Sequence, residues 1–168
     1  MALTVEDGSG VSGADTYISL TDARAILTPL GQDLNATDAT AEQQLRNAVY
    51  YLEAFRKQFK GSKVLQANPL QWPRYGVWID GFSVSSDTIP DDLKRAQVYA
   101  AYEIEAGGTL QANSTGENVK MKEVAGAIKK EFFNSGAGAS LKRFTRVDNQ
   151  LSPLLNNSGP FELRSERG

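Results

Sequence analysis

The 168-residue chain has no histidine and no cysteine. That removes the usual general base, the commonest transition-metal ligands, thiol nucleophiles and disulfides. Catalysis would fall to Asp, Glu, Lys, Tyr or Ser alone, so a non-catalytic protein is expected, with no metal and no cofactor. The leader carries Glu6, Asp7, Gly8 and Asp15 but lacks the alternating oxygens and closing Glu of a calcium loop. The run Gly-Ser-Gly-Val-Ser-Gly at 8–13 lacks the Gly-Lys-Ser/Thr ending of a phosphate loop.

Three further groupings could make contacts. Trp72-Pro73-Arg74 could present an aromatic ring and a guanidinium to bases or to a protein partner. The blander reading, which the flanking prolines favour, is a loop pinned by a buried Trp with Arg74 bonded to nearby carbonyls. Lys120, Lys122, Lys129 and Lys130 read as the chain's basic cluster, either a solvated face or a DNA-facing surface working through phosphates. Glu103 and Glu105 lie in the last turn of a predicted helix, where the dipole disfavours them. They could meet basic residues of an adjacent copy. Trp72, Arg74, Glu103 and Glu105 are therefore the candidate contacts to a neighbouring subunit or a tail protein.

The elements that must position these residues are mainly helical. Ser19 and Asp22 open a helix over about 20–30 in capping-box form, closed by Gly31. Leu45, Val49, Leu52, Phe55 and Phe59 share one face of a second helix over about 39–59, with Asp38 as its cap. Glu42 with Arg46 and Glu53 with Lys57 form acid-before-base pairs on its exposed side. Pro90 opens a third helix that ends at Gly107-Gly108, and its inner face reads Leu93, Ala96, Ala100 and Ile104. Residues 61–89 hold both tryptophans and are too aromatic for a disordered linker. They predict an ordered loop with a hairpin at Asp80-Gly81. The stretch 119–133 fits a strand or a helical stripe, and periodicity does not decide between them. Leu151, Leu154 and Leu155 predict a short closing element.

These pieces make one domain. It has an N-terminal arm at 1–18, a helical body at 19–108 and a hairpin region at 109–140. A closing segment at 141–157 and a C-terminal arm at 158–168 complete it. The leader gains order only by lying on its own body or on a neighbour. A hydrophobic fraction of 40% supports a core. A net charge of -2 and a pI near 5.2 argue against coating nucleic acid by bulk attraction. The N-terminus does not read as a signal peptide, and no run approaches the ~18 apolar residues of a membrane span. A soluble protein made in a cytoplasm, without membrane contact, is expected.

Several stretches together resemble a phage protein family known as head-tail connectors or adaptors, which also carries the label of a DnaT-like single-stranded-DNA-binding domain. They are TVEDGSGVSGADTYISLTDA at 4–23, LRNAVYYLE at 45–53, QANPLQWPRYGVWIDG at 66–81 and IPDDLKRAQVYAAYEIEAGG at 89–108. VKMKEVAGAIKKEF and LSPLL match more weakly. The resemblance implies a mostly helical body with a peripheral β-hairpin, tipping 119–133 towards a hairpin that turns at Ala125-Gly126. It implies a twelvefold homo-oligomeric ring below the portal protein, joined to a tail or nozzle protein, with double-stranded DNA passing through its channel in the virion neck. Ring affinity would come from burying the leader and the terminal arm on neighbours. Phe161, Leu163, Arg164 and Arg167 would dock the C-terminal arm on the portal. The competing implication is a single-stranded-DNA-binding module.

Overall fold

A computed structural model describes residues 2–108, 110 and 144–156. It is a mainly helical domain. Helix α1 spans Leu20–Leu27, α2 Asp38–Glu53, α3 Asp91–Glu105 and α4 Thr145–Leu151. Two antiparallel ribbons lie between α2 and α3. Strand β1 (Ser62–Lys63) pairs with β2 (Arg74–Tyr75), and β3 (Trp78–Ile79) pairs with β4 (Phe82–Ser83).

The core is a helix sandwich. Helix α2 packs along α3, and α3 packs in turn on α4. Small residues allow the close approach. Ala41, Ala48, Ala96, Ala100 and Ala101 are all buried between Leu45, Leu52, Leu93, Val98, Leu151 and Leu154. Burying each leucine or valine contributes roughly 1.5–3 kcal/mol. Helix α1 lays Ala23 and Leu27 on the same core. Its start is capped as predicted: Ser19 Oγ accepts from Asp22 N at 3.1 Å. A single 3₁₀ turn, Thr28–Leu30, carries the helix past Pro29 to Gly31. The closing element also forms, as α4 followed by a 3₁₀ turn at Ser152–Leu154.

The leader does not wait for a neighbour. It lies on its own body, held by carboxylates that accept backbone amides. Glu6 is buried, and its oxygens accept from the amides of Gly8, Gly10 and Val11, each at 2.9 Å. Asp15 accepts from Thr4 N and from Arg46 Nε of α2. Gln97 of α3 accepts from Tyr17 N and donates to Thr16 Oγ1 and to the Leu45 carbonyl. Of the two supports expected for the leader, its own body or a neighbour, the structure shows the first.

Helix α2 is shorter than its apolar period suggests. It stops at Glu53, and residues 54–58 continue in tight turns with three-residue hydrogen bonds such as Arg56 N to the Glu53 carbonyl. The cause is tertiary pairing. Phe59 bridges to Leu155, Lys60 N donates to the Leu154 carbonyl, and Asn156 N donates to the Gln58 carbonyl. The closing segment pulls this stretch out of the helix. Glu42 and Arg46 do approach, at 3.7 Å. The Glu53–Lys57 pair is not formed: Glu53 faces inward to Tyr17 and Gln71.

Residues 119–133, the Ala125-Gly126 turn and the 158–168 arm lie outside the described residues. Among the described residues, no helix is long and apolar enough to cross a membrane.

Candidate nucleic-acid interface

The Trp-Pro-Arg tripeptide is internal. The Trp72 ring is fully buried and meets Phe59 edge-on, with ring centroids 6.0 Å apart. Arg74 is 6% exposed. Its guanidinium donates to the carbonyls of Lys60, Gly61 and Gln71 and sits over the Phe59 ring. Both side chains are used up in pinning the loop, so neither is available as a subunit or tail contact. Carbonyls satisfy the cation here, and burial lowers its pKa.

The loop is fastened to α2 by a second device. Tyr17 Oη donates to Glu53 Oε1 at 2.5 Å, and the Gln71 amide donates to both groups at 3.1 Å. Burial pushes the Glu53 carboxyl above its ordinary range, outweighing the hydrogen bonds from Tyr17 and Gln71 and the Lys63 charge. Burial, then the adjacent Glu53 charge, raises the Tyr17 phenol further still. Beside this pair lies a groove of about 310 Å³ lined by Ala14, Val49, Tyr50, Pro69 and Leu70, with Asp15 and Arg46 at its wall.

Glu105 is also committed within the chain. Gln44 Nε2 donates to it at 2.5 Å, and Asn35 Nδ2 reaches both its oxygens at 3.3 and 3.4 Å. Amides of α2 and of the α1–α2 loop therefore compensate its unfavourable place at the α3 C-terminus. Glu103 is half-buried, and its carbonyl accepts from Gly108 N.

Pinning Trp72 and Arg74 turns the next stretch of chain outward. Val77 is buried and anchors the second ribbon, its carbonyl accepting from Val84 N. Around this anchor three rings face solvent: Tyr75 is 55% exposed, Trp78 60% and Phe82 78%. Three large exposed aromatics within eight residues make this stretch the candidate binding surface. The turn between β3 and β4 has positive φ at both Asp80 (51°) and Gly81 (84°), the backbone of a two-residue hairpin loop.

Charge distinguishes this region from its surroundings. From residue 54 to 86 the cations are Arg56, Lys57, Lys60, Lys63 and Arg74, against one carboxylate, Asp80. Arg56 and Lys57 are exposed, and Lys60 Nζ donates to the Trp78 carbonyl at 3.3 Å. Gly61 brings this basic turn onto the ribbon. Its φ is +65°, and a Cβ there would stand 2.2 Å from the Tyr75 carbonyl oxygen. Lys63 Nζ is tied to the Asn68 carbonyl.

The family model described as "Putative DnaT-like ssDNA binding protein" matches residues 1–168. The chain belongs to this family. Comparisons with curated proteins and with solved structures give no match.

Lys120, Lys122, Lys129 and Lys130, and Phe161, Leu163, Arg164 and Arg167, lie outside the described residues. Sequence reasoning misses the 56–63 cations and the rings at 75, 78 and 82. The signal available is the local charge balance of 54–86 set against an acidic whole.

Proposed function

We propose that this chain binds single-stranded DNA through the 74–84 ribbons and the basic turn at 56–60. One observation carries the reading: three solvent-facing rings, Tyr75, Trp78 and Phe82, stand on a basic stretch, whereas the described residues as a whole carry more carboxylates than cations. Rings offer stacking surface to any base, worth roughly 1–3 kcal/mol per base. Arg56, Lys57 and Lys60 are placed to meet phosphates. The description of the family supports the same class of ligand.

So few cations imply modest, salt-sensitive affinity. Three phosphate contacts give a slope of about -2 for log affinity against log salt on single strands. Fluorescence anisotropy with a labelled oligonucleotide over a salt series measures it. Trp78→Ala should weaken binding by roughly 5- to 150-fold, the equivalent of one lost stack. Absence of binding at low salt would overturn the reading.

A second reading is a structural adaptor in a phage virion neck, joining portal and tail proteins in a twelvefold ring. The observation favouring it is that the described residues carry more carboxylates than cations overall, which suits a ring that lets duplex DNA slide. The exposed rings would then be covered by protein. Co-migration with purified portal protein, and none with single-stranded DNA, would favour this reading.

A further inference from the structure

Resting on the single-strand reading, we infer that the ligand is held on the outward side of the two ribbons as a two-base unit. One base stacks on Tyr75, the next on Trp78, and the phosphate joining them meets Lys60. The cross-strand partners support this. Tyr75 of β2 pairs with Ser62, and Trp78 of β3 pairs with Ser83. Directly opposed residues share a face, and a large partner would pack against an aromatic ring. Here each ring is opposed by an exposed serine, too small to cover it. The same pairing occurs once on each ribbon and leaves both rings open, at 55% and 60% exposure.

Both rings turn away from the core. Successive residues of a strand alternate in direction. Arg74, just before Tyr75, and Val77, just before Trp78, are buried. Both reach Gly61: Arg74 Nη2 donates to its carbonyl at 2.8 Å, and a Cβ on Gly61 would stand 2.8 Å from Val77 Cγ2. Phe82 is excluded from the outward side. It opposes Ile79 and shares its row with Val77 and Val84, and those three pack on the core.

Lys60 supplies the charge between the rings. The Val84 N to Val77 carbonyl bond places the hydrogen-bonded pairs on either side of Trp78–Ser83, so this pair turns its own carbonyls to the ribbon's edges. The Trp78 carbonyl receives Lys60 Nζ at 3.3 Å, and Gly61, the next residue, abuts the Tyr75 carbonyl. The ammonium therefore stands at the edge along which residues 75–78 run, and its remaining protons are free to meet a phosphate.

Spacing sets the class of ligand. Three residues of chain put the Cα atoms of Tyr75 and Trp78 at most roughly 11 Å apart. Among the described residues no ring contact joins the two. They are separate platforms, and the bases they hold lie apart from each other. Bases of a duplex strand follow one another about every 3.4 Å in a continuous stack. They cannot occupy both platforms without unstacking, whereas a single strand can. The site thus takes two adjacent nucleotides of a single strand, whatever their sequence, because every base has a face to stack.

The test titrates the isotope-labelled full chain at low salt, followed by NMR. The probes are deoxyadenosine monophosphate, the adenine dinucleotide with one linking phosphate, and that dinucleotide with an uncharged methylphosphonate link. The dinucleotide should bind roughly fivefold tighter than the mononucleotide or better, the gain from a second stack. It should shift the Trp78 indole and the Tyr75 amide and leave the buried Trp72 indole in place. Tyr75→Ala should remove the gain and Phe82→Ala should keep it; both sites are exposed, and circular dichroism checks the fold. Lys60→Ala and the uncharged link should each weaken the dinucleotide, and together they should weaken it no further. Anisotropy with a longer labelled oligonucleotide separates the two levels of the argument. If the oligonucleotide binds but the dinucleotide shows no gain, the gain survives Tyr75→Ala, or the two charge losses add, the two-base site is overturned and the single-strand reading stands. No anisotropy change at low salt overturns both.

Discussion

Gln97 tests whether the leader is a built part of the domain. The side chain is fully buried on α3. It accepts from Tyr17 N at 3.0 Å and donates to Thr16 Oγ1 at 2.7 Å and to the Leu45 carbonyl at 3.1 Å. Gln97→Leu keeps the volume and removes all three bonds. The Leu45 carbonyl lies inside α2 and retains its helical partner, so its loss is small. Thr16 Oγ1 still donates to the Ile18 carbonyl and accepts from Ile18 N. The Tyr17 amide has no such reserve, and a stranded buried donor costs about 1–3 kcal/mol. Added leucine burial offsets part of this, leaving a net loss of about 1 kcal/mol from a domain stability of roughly 5–15 kcal/mol. Gln97→Glu should lose more at neutral pH, because it buries a charge with no cation beside it and turns one carboxylate oxygen towards the Leu45 carbonyl, and recover as the carboxyl protonates. Urea unfolding at constant m-value reads the first loss, and hydrogen exchange at the Tyr17 amide locates it. Gln97→Leu within about 0.5 kcal/mol of wild type, with that amide still protected, would refute the reasoning.

The two tryptophans should behave oppositely. Trp72→Ala should cost about 3–5 kcal/mol in urea unfolding, as expected for a filled core site, while Trp78→Ala should stay within about 0.5 kcal/mol. Glu53 carries a pH signature. Its folded-state pKa lies above the ordinary 4.5, so its stabilising contribution is full below pH 4.5 and is lost as pH rises through the folded value. Glu53→Gln cannot ionise, so urea midpoints from roughly pH 4 to 8 should lose that decline; an unchanged profile would contradict the assignment. Gly61→Ala should cost about 1–3 kcal/mol through strain at positive φ and should also weaken DNA binding by moving the basic turn off the ribbon. Lys60→Ala should reduce the salt slope by about 0.7, measured by anisotropy, with little effect on the melting temperature.

The helices were legible because their signals are local. Ser19 caps where a capping residue should, Gly107 lies just past α3, and the alanines of α3 meet α2. The hairpin at Asp80-Gly81 was legible for the same reason, since its turn chemistry sits in two residues. The end of α2 was not. Nothing between 54 and 59 forbids helix; the helix stops because Leu154, Leu155 and Asn156, about a hundred residues away, pair with 58–60. The role of Glu53 was hidden for a related reason. Four residues before a lysine it reads as a surface ion pair, and only the fold brings Tyr17 and Gln71 to it.

The candidate interface was obscured by averaging. A formal charge of -2 over 168 residues describes a chain that nucleic acid should ignore. Phosphates respond to charge within about a Debye length, close to 10 Å at 0.1 M salt. At that range what counts is the local balance: Lys60 at the Trp78 carbonyl, with Arg56 and Lys57 in the same turn of chain, against Asp80 at the ribbon tip, while Asp22, Asp38 and Asp91 lie on other elements. The distinctive tripeptide misled in the same way. Trp72 and Arg74 look like contact residues because they are unusual, yet they are consumed in anchoring the loop. Their burial holds Tyr75, Trp78 and Phe82 outward on two-residue strands, which are too short to be stable unless fastened. The anchoring residues set the direction of the exposed rings, so loss of Trp72 should abolish both the fold of the loop and any binding through it, whereas loss of Trp78 should separate the two.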